Sequence, residues 1–171
     1  AEAERRGLVN LPNTAAALPA YILPKNVALM TKHGVYTTSE MMARHEIHME
    51  KYCKLISIEA ATLVDMVQHS ILHAASRYEG VLCQTILQKK QALPHADCRV
   101  ETALAESILT LNGELLDDTV ALKTALETAP ETDGEHMLRY YHDTIFAQMN
   151  KVRASIDKLE TLVAGDYWPY P

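Results

Sequence analysis

The chain contains little glycine, phenylalanine and cysteine. Its 171 residues include six Gly, one Phe and three Cys, whereas Ala, Leu, Met and Glu are frequent. This balance favours helices over strands. The cysteines are odd in number and lack a paired spacing, which argues against a disulfide framework or a zinc knuckle. We expect Cys53, Cys83 and Cys98 to be buried, reduced thiols.

Long apolar runs and basic clusters are missing as well. No uninterrupted apolar run approaches the roughly 18 residues that span a bilayer, and no export signal opens the chain. The formal charge is −6, and the 16 Lys and Arg are scattered along the chain, never more than two in a row, which is unsuited to a phosphate backbone. We therefore expect a soluble, cytoplasmic protein without membrane or nucleic-acid partners. Its 48% hydrophobic content can fill one core of ordinary size.

Motifs for nucleotide or nucleophilic chemistry are absent, because the sequence has no Gly-rich phosphate loop and no Gly-x-Ser-x-Gly elbow. His45 and His48 lie three apart beside Glu46, whereas a zinc-protease helix needs two histidines four apart. We interpret them as solvated histidines or histidines at the edge of the core. One acidic run lacks the alternate spacing of a calcium loop and is interpreted as helix-capping: Glu127, Glu131, Asp133 and Glu135.

Residues 1–36 predict an extended, Pro-containing connector with short helices. Three prolines prevent one regular element: Pro12, Pro19 and Pro24. Asn13 can cap a short turn that Pro19 ends. Pro24 suits the first position of a helix ending at His33, and Gly34 can serve as its left-handed stop.

Residues 37–165 predict an all-α, elongated, up-down bundle of about three long helices joined by short connections. The expected helices are 38–93, 97–129 and 132–164. Their starts are marked by capping groups, namely Thr37 with Glu40, Asp97, and Thr132 with Glu135. Gly80 costs about 1 kcal/mol in a helix interior, so we expect a kink or brief break there.

Apolar residues recur at steps of three and four along each predicted helix. The first seam comprises Met49, Cys53, Ile56, Ala60, Leu63, Val67, Ile71, Ala74 and Tyr78. Further apolar residues off this seam predict a central helix packed on several sides: Leu55, Ile58, Ala61, Met66 and Leu72. The second seam runs from Val100 to Leu126 and the third from Met137 to Val163. Leu63 and Ile156 are expected to be fully buried.

Asp65, His69 and His73 follow one another at steps of four and share a stripe of one helix. They are weak candidates for a divalent metal site, because three ligands in a row on one helix cannot close around an ion alone. A hydrogen bond between Asp65 and His69 near an interface is favoured instead.

Residues 166–171 form an aromatic tail interrupted by prolines. Tyr167, Trp168 and Tyr170 have no periodic place in a bundle, and exposed aromatic clusters are usually interaction surfaces. We expect Trp168 to be largely exposed, or buried against residues 11–21 or a neighbouring copy. The alternative is that the tail folds back onto the bundle end. The tail and the start at Ala1 suggest a segment of a longer polypeptide.

Several strings in this sequence resemble the region that follows the catalytic core in type III glutamine synthetases. They are Arg6-Gly7-Leu8, Asn10-Leu11-Pro12, Ala17-Leu18-Pro19-Ala20-Tyr21, Lys25-Asn26-Val27-Ala28-Leu29, Lys32-His33-Gly34-Val35, Tyr52-Cys53-Lys54, Ile58-Glu59-Ala60 and Tyr167-Trp168-Pro169-Tyr170-Pro171. The resemblance is most specific before Ala61 and after Gly165. It implies a parent enzyme that makes glutamine from glutamate, ammonia and ATP through a γ-glutamyl phosphate.

The resemblance also implies where the chemistry lies. ATP and Mg²⁺ or Mn²⁺ would bind the catalytic domains of the same polypeptide, so no cofactor is expected in this chain. Its role would be structural, packing on the catalytic core and contributing to a homo-oligomer. Alternatives are a stand-alone interaction module, a phosphotransfer module using His48 or His69, and a metal-binding module using His69 and His73. In phosphotransfer modules a Lys and a Gly normally follow the phosphoacceptor within a turn, and neither His48 nor His69 is followed by both.

Overall fold

The computed structural model describes residues 2–130 and 134–170, and this part of the chain is all-α, as predicted. No β-strand occurs within these ranges. The α-helices are α1 Glu2–Arg5, α2 Thr14–Tyr21, α3 Pro24–Lys32, α4 Thr38–Met66, α5 Leu72–Ala92, α6 Arg99–Glu127, α7 Gly134–Tyr140 and α8 Ala147–Leu162. Two segments are π-helical: Val67–Ile71 between α4 and α5, and Tyr141–Phe146 between α7 and α8.

The long helical stretches are continuous through their irregular turns. Helix α4, Val67–Ile71 and α5 follow one another without a gap, so the predicted break at Gly80 is wrong. Gly80 lies inside α5, and a Cβ placed there would meet no atom within 4 Å. No neighbouring group therefore forces the helix apart at Gly80. The irregularity lies instead at Val67–Ile71, where the hydrogen bonds span five residues rather than four.

The start of α4 is fixed by the capping box expected from the sequence. The Thr37 backbone N–H donates to Glu40 Oε2 at 2.8 Å, and the Glu40 backbone N–H donates to Thr37 Oγ1 at 3.2 Å. Each side chain thus satisfies a backbone donor that an α-helix leaves without a partner at its first turn. The second expected box involves Thr132, which lies outside the described residues.

Helices α2 and α3 begin as predicted, but α2 ends later. Asn13 Oδ1 accepts the Ala16 backbone N–H at 2.8 Å and caps α2. Pro19 does not end this helix, which continues to Tyr21. Pro24 opens α3, and Gly34 beyond its end has φ +66°, the left-handed conformation expected of a stop.

Asp97 assists the start of α6 from one position earlier than predicted. Residue Cys98 occupies the capping position without a side-chain hydrogen bond, and the helix begins at Arg99. Asp97 Oδ1 accepts the Arg99 backbone N–H at 3.0 Å. Across the preceding loop, the Lys89 ammonium donates to the Glu101 carboxylate.

The chain divides into two compact units. The first comprises residues 1–58 and 129–144, and within its described part α2 contacts α7. Its core contains Met49, Cys53 and Leu138. Partly buried apolar residues pack against this core: Ala15, Leu18, Tyr52, Met137 and Tyr141.

The second unit comprises residues 59–128 and 145–171, in which α6 packs against both α5 and α8. Its largest fully buried side chains have less than 2% of their surface exposed: Val67, Ile71, Ile108, Leu115, Thr119, Leu122, Ile145, Val152 and Leu159. Leu63 and Ile156 are only half-buried, so the expectation of full burial is wrong for both. Each lies one residue from a buried neighbour, Val64 and Ser155 respectively.

The expectation that the first long helix packs on several sides is also wrong. Leu55 and Ile58 are 51% and 65% exposed. Met49, Cys53 and Ile56 are buried, because they lie on the opposite side of α4. In the described chain, α4 therefore keeps an exposed apolar surface.

One described helical stretch, Thr38–Ala92, is long and apolar enough to cross a membrane. Its best 18-residue window has a mean hydropathy of 1.3, and 28% of that window is buried. This window contains polar residues, so it is not an uninterrupted apolar run. Core helices of soluble proteins meet the same criterion, so this stretch is weak evidence for membrane insertion.

Candidate functional site

The Asp65, His69 and His73 stripe lies on an exposed surface. Asp65 Oδ1 is 2.9 Å from His69 Nδ1, and the two side chains are 71% and 72% exposed. His73 is exposed too. In residues 2–130 and 134–170, no three His, Cys, Asp or Glu side chains converge into a possible metal site. The structure thus shows the expected contact between Asp65 and His69, and a metal site at this stripe stays a prediction.

His45 and His48 have different environments, although both lie on α4. His45 is 5% exposed, and its Nε2 has no hydrogen-bond partner in the described part of the chain. His48 is exposed, and its ring meets that of Tyr21 edge-on, with 6.3 Å between ring centres. One histidine therefore belongs to the core and the other to the surface.

The three cysteines differ in burial. Cys53 and Cys98 are buried as expected, but Cys83 is exposed, so the expectation is wrong for that residue. Burial raises the pKa of the Cys53 thiol because desolvation disfavours the thiolate. Cys53 is consequently a poor nucleophile and serves the core of the first unit.

The aromatic tail folds back onto its own unit. The Tyr167 and Trp168 backbone N–H groups both donate to the Ala164 carbonyl, at 2.8 and 3.2 Å. The Tyr167 ring lies 5.3 Å from the ring of Tyr78 on α5, centre to centre. Trp168 and Tyr170 are half-buried, so Trp168 is not largely exposed. An interaction role for Tyr167, Trp168 and Tyr170 stays a prediction.

Two exposed apolar stripes were not recognised in the sequence. The α4 seam consists of Ile47, Leu55 and Ile58, which are 62%, 51% and 65% exposed. The α6 seam consists of Leu109, Leu116 and Val120, which are 60%, 48% and 53% exposed. Their helical phase could have revealed them, because each lies away from the buried seam of its own helix.

A groove beside α6 and α8 offers little chemistry, although hydroxyl groups line it. Ser107, Thr110 and Thr161 line this groove together with Glu106 and Lys158. Each of the three hydroxyls donates to a backbone carbonyl of its own helix, over 2.7 to 2.9 Å. The hydroxyl protons are thus already engaged, as is usual for Ser and Thr inside helices.

The sequence profile of the glutamine synthetase C-terminal domain matches residues 1–90. This match covers more than half of the chain. The chain belongs to the glutamine synthetase C-terminal domain family. The matched part of this C-terminal domain contains the α4 seam, whereas the α6 seam lies beyond it.

Three related proteins extend the similarity along the rest of this C-terminal domain. It is 32% identical to a glutamine synthetase of Butyrivibrio fibrisolvens over 180 aligned positions. It is 28% identical to a type-3 glutamine synthetase of Dictyostelium discoideum and 24% identical to a glutamine synthetase of Bacteroides fragilis (strain YCH46). Each alignment covers 99% of this chain and 24% of the relative. The chain thus spans about a quarter of the length of these curated relatives.

Proposed function

We propose that this chain is the non-catalytic, architectural C-terminal domain of a type III glutamine synthetase. The complete enzyme would join glutamate and ammonia at the expense of ATP, through a γ-glutamyl phosphate. The observation that carries the proposal is the pair of alignment lengths, 99% of this chain against 24% of each synthetase. A segment that aligns throughout but fills a quarter of an enzyme is best explained as one of its domains.

The polar chemistry of the chain supports a structural role. In the described part no metal-binding cluster forms, and the hydroxyls of the α6 and α8 groove are engaged. ATP and Mg²⁺ or Mn²⁺ would then bind catalytic domains elsewhere in the polypeptide. The exposed α4 and α6 seams are suited to burial against other protein surfaces. We place the complete enzyme in the cytoplasm as a homo-oligomer, without nucleic-acid or membrane partners.

The test compares the complete synthetase with a version from which this domain is deleted. We expect the 171-residue chain alone to form no γ-glutamyl hydroxamate. The deleted enzyme should form smaller or less stable oligomers, measured by light scattering after size-exclusion chromatography. Turnover by the purified chain alone would contradict the proposal, and so would a deleted enzyme with unchanged assembly and activity.

A phosphotransfer or metal-binding module remains the alternative, favoured by one observation. His69 is exposed, and Asp65 holds its Nδ1 at 2.9 Å, which orients Nε2 outward as in a phosphoacceptor. The alternative predicts that an acyl-phosphate donor transfers one phosphoryl group to the chain, or that the chain retains bound metal after dialysis. Mass spectrometry of the unmodified chain and of His69→Gln would detect either outcome, and the architectural proposal predicts neither.

A further inference from the structure

The α4 and α6 seams match in length. The α4 seam runs from Ile47 to Ile58 and the α6 seam from Leu109 to Val120, twelve residues in each case. At 1.5 Å per residue, each seam extends about 17 Å along its helix. Both seams are exposed within the chain. Two uncovered apolar stripes of equal length can bury one another between copies.

The charges beside the seams are opposite. Lys51 lies within the α4 seam, between Ile47 and Leu55, and Lys54 lines the same shallow cleft. Lys54 is paired with Glu50 at 3.1 Å, whereas Lys51 has no ion-pair partner in the described chain.

Carboxylates flank the α6 seam. Glu106 lies three residues before Leu109, and Asp117 follows Leu116 directly. Both are exposed and lack an ion-pair partner among the described residues. Lys123 lies three residues beyond Val120 and adds one positive charge at the far end of the seam, so the acidic character is greatest from Glu106 to Asp117. The basic centre of one seam is thus complementary to the acidic flank of the other.

An antiparallel pairing aligns these groups along the two helices. When Ile47 is level with Val120 and Ile58 is level with Leu109, Lys51 falls level with Leu116, one residue from Asp117. Glu50 then falls level with Asp117, but it is paired with Lys54. Leu55 then falls within one residue of the level of Gly113. A Cβ on Gly113 would meet no atom within 4 Å, so this position leaves room for a large side chain. Large side chains of one helix thus meet a gap in the other.

We infer that the α4 seam of one copy docks against the α6 seam of a second copy. Pairing the α4 seam with itself is less favourable, because a two-fold axis at its centre would bring Lys51 beside Lys54. Joining two different surfaces allows either a two-fold pair that makes the contact twice or a head-to-tail contact that closes into a ring or continues as a filament.

The contact is small, since about three turns of each helix take part. Stable interfaces bury roughly 800 Å² per partner, and seams of this size fall short of that. The contact is therefore weak in the isolated chain and acts within a larger assembly, where tethering raises the effective concentration. In this respect the inference rests on the proposed architectural function.

Charge reversal in the 171-residue chain tests the contact. Sedimentation equilibrium up to about 1 mM, the weak end of the affinity scale, measures the dissociation constant. We expect Lys51→Glu and Asp117→Lys each to raise that constant by about tenfold, because attraction becomes repulsion. The double variant restores opposite charges and should return to within about threefold of the unmodified chain.

Matched controls change charge away from the seams. Lys25→Glu lies on α3, and Glu114→Lys lies on α6 next to the seam residues in sequence but on another side of the helix. Neither should alter self-association, and circular dichroism should show the same helix content for all variants.

Three outcomes overturn the inference. They are a chain that stays monomeric throughout the concentration range, a Lys51→Glu or Asp117→Lys variant that self-associates as the controls do, and a double variant that self-associates as weakly as the single variants. Deletion of the domain from the complete synthetase is a separate measurement. If deletion disrupts assembly while the charge variants have no effect, this inference fails and the proposed function stands.

Discussion

At the scale of single residues, adjacent leucines on α6 have opposite environments. Leu115 is fully buried, whereas Leu116 is 48% exposed. Leu115→Ala removes packed methyl groups and leaves a cavity, so we expect a loss of about 2 to 5 kcal/mol in the free energy of unfolding. Leu116→Ala should cost about 0.5 kcal/mol or less. Chemical denaturation of dilute samples measures both, and equal losses would contradict the burial pattern.

The stability that Glu40 contributes to the fold depends on pH. The hydrogen bond donated by the Thr37 backbone N–H, with a further one from the Thr37 hydroxyl, lowers the pKa of the Glu40 carboxyl below its ordinary value of 4.5. The carboxylate therefore contributes stability that is fully present above pH 4.5 and is lost as pH falls through the lowered pKa.

The free energy of unfolding of the unmodified chain should thus decrease with acidification more steeply than that of Glu40→Gln. Denaturation at a series of pH values compares the two slopes. Glu46→Gln, on an exposed part of the same helix, is the control and should retain the slope of the unmodified chain. The same pH dependence of the free energy of unfolding in the unmodified chain and Glu40→Gln would mean that the capping box of Thr37 and Glu40 does not form.

At the scale of helices, two glycines should respond to alanine in opposite directions. Gly34 has φ +66° beyond the end of α3, a conformation that costs an L-residue about 1 kcal/mol. Gly80 lies inside α5 with open space around it, so Gly80→Ala should stabilise the chain by about 0.5 to 1 kcal/mol. Thermal unfolding should therefore move to lower temperature for Gly34→Ala and to higher temperature for Gly80→Ala. A destabilising Gly80→Ala would contradict the open space around this position.

The same helices show what local sequence can and cannot specify. The box of Thr37 and Glu40, the cap at Asn13 and the stop at Gly34 depend on neighbours within a few residues, and all three were predicted correctly. Burial of Leu63, Leu55 and Ile58 depends on which side of a helix meets a distant element, and this was predicted wrongly.

The contacts at the candidate sites also differ in whether they depend on near or on distant residues. Asp65 and His69 lie one turn apart, so their contact could be read from spacing. The packing of Tyr167 against Tyr78 joins residues 89 positions apart, and no local pattern contains that information.

At the scale of the whole molecule, the tail is part of the folded chain rather than an extension of it. We expect Tyr78→Ala to remove the ring that Tyr167 packs against and to loosen the tail. Trp168 is the single tryptophan, so its fluorescence should shift to longer wavelength as it becomes more exposed. Tyr36→Ala, whose ring contacts Arg44 in the other unit, is the control and should leave the emission unchanged. An unshifted spectrum for Tyr78→Ala would show that other contacts hold the tail.

The π-helical turn at Val67–Ile71 has a consequence for chain length. Such a turn already holds one residue more than an α-helical turn does, so one residue can be removed there without rotating the faces of α4 and α5 against each other. Deleting Ser70 should leave a regular α-helix with its buried residues still aligned. Deleting Ala61 from the regular part of α4 should turn everything beyond it by about 100° and unfold the core. The chain is therefore expected to tolerate a change of length at this turn and nowhere else in the helix, a difference that circular dichroism of the two deletions would reveal.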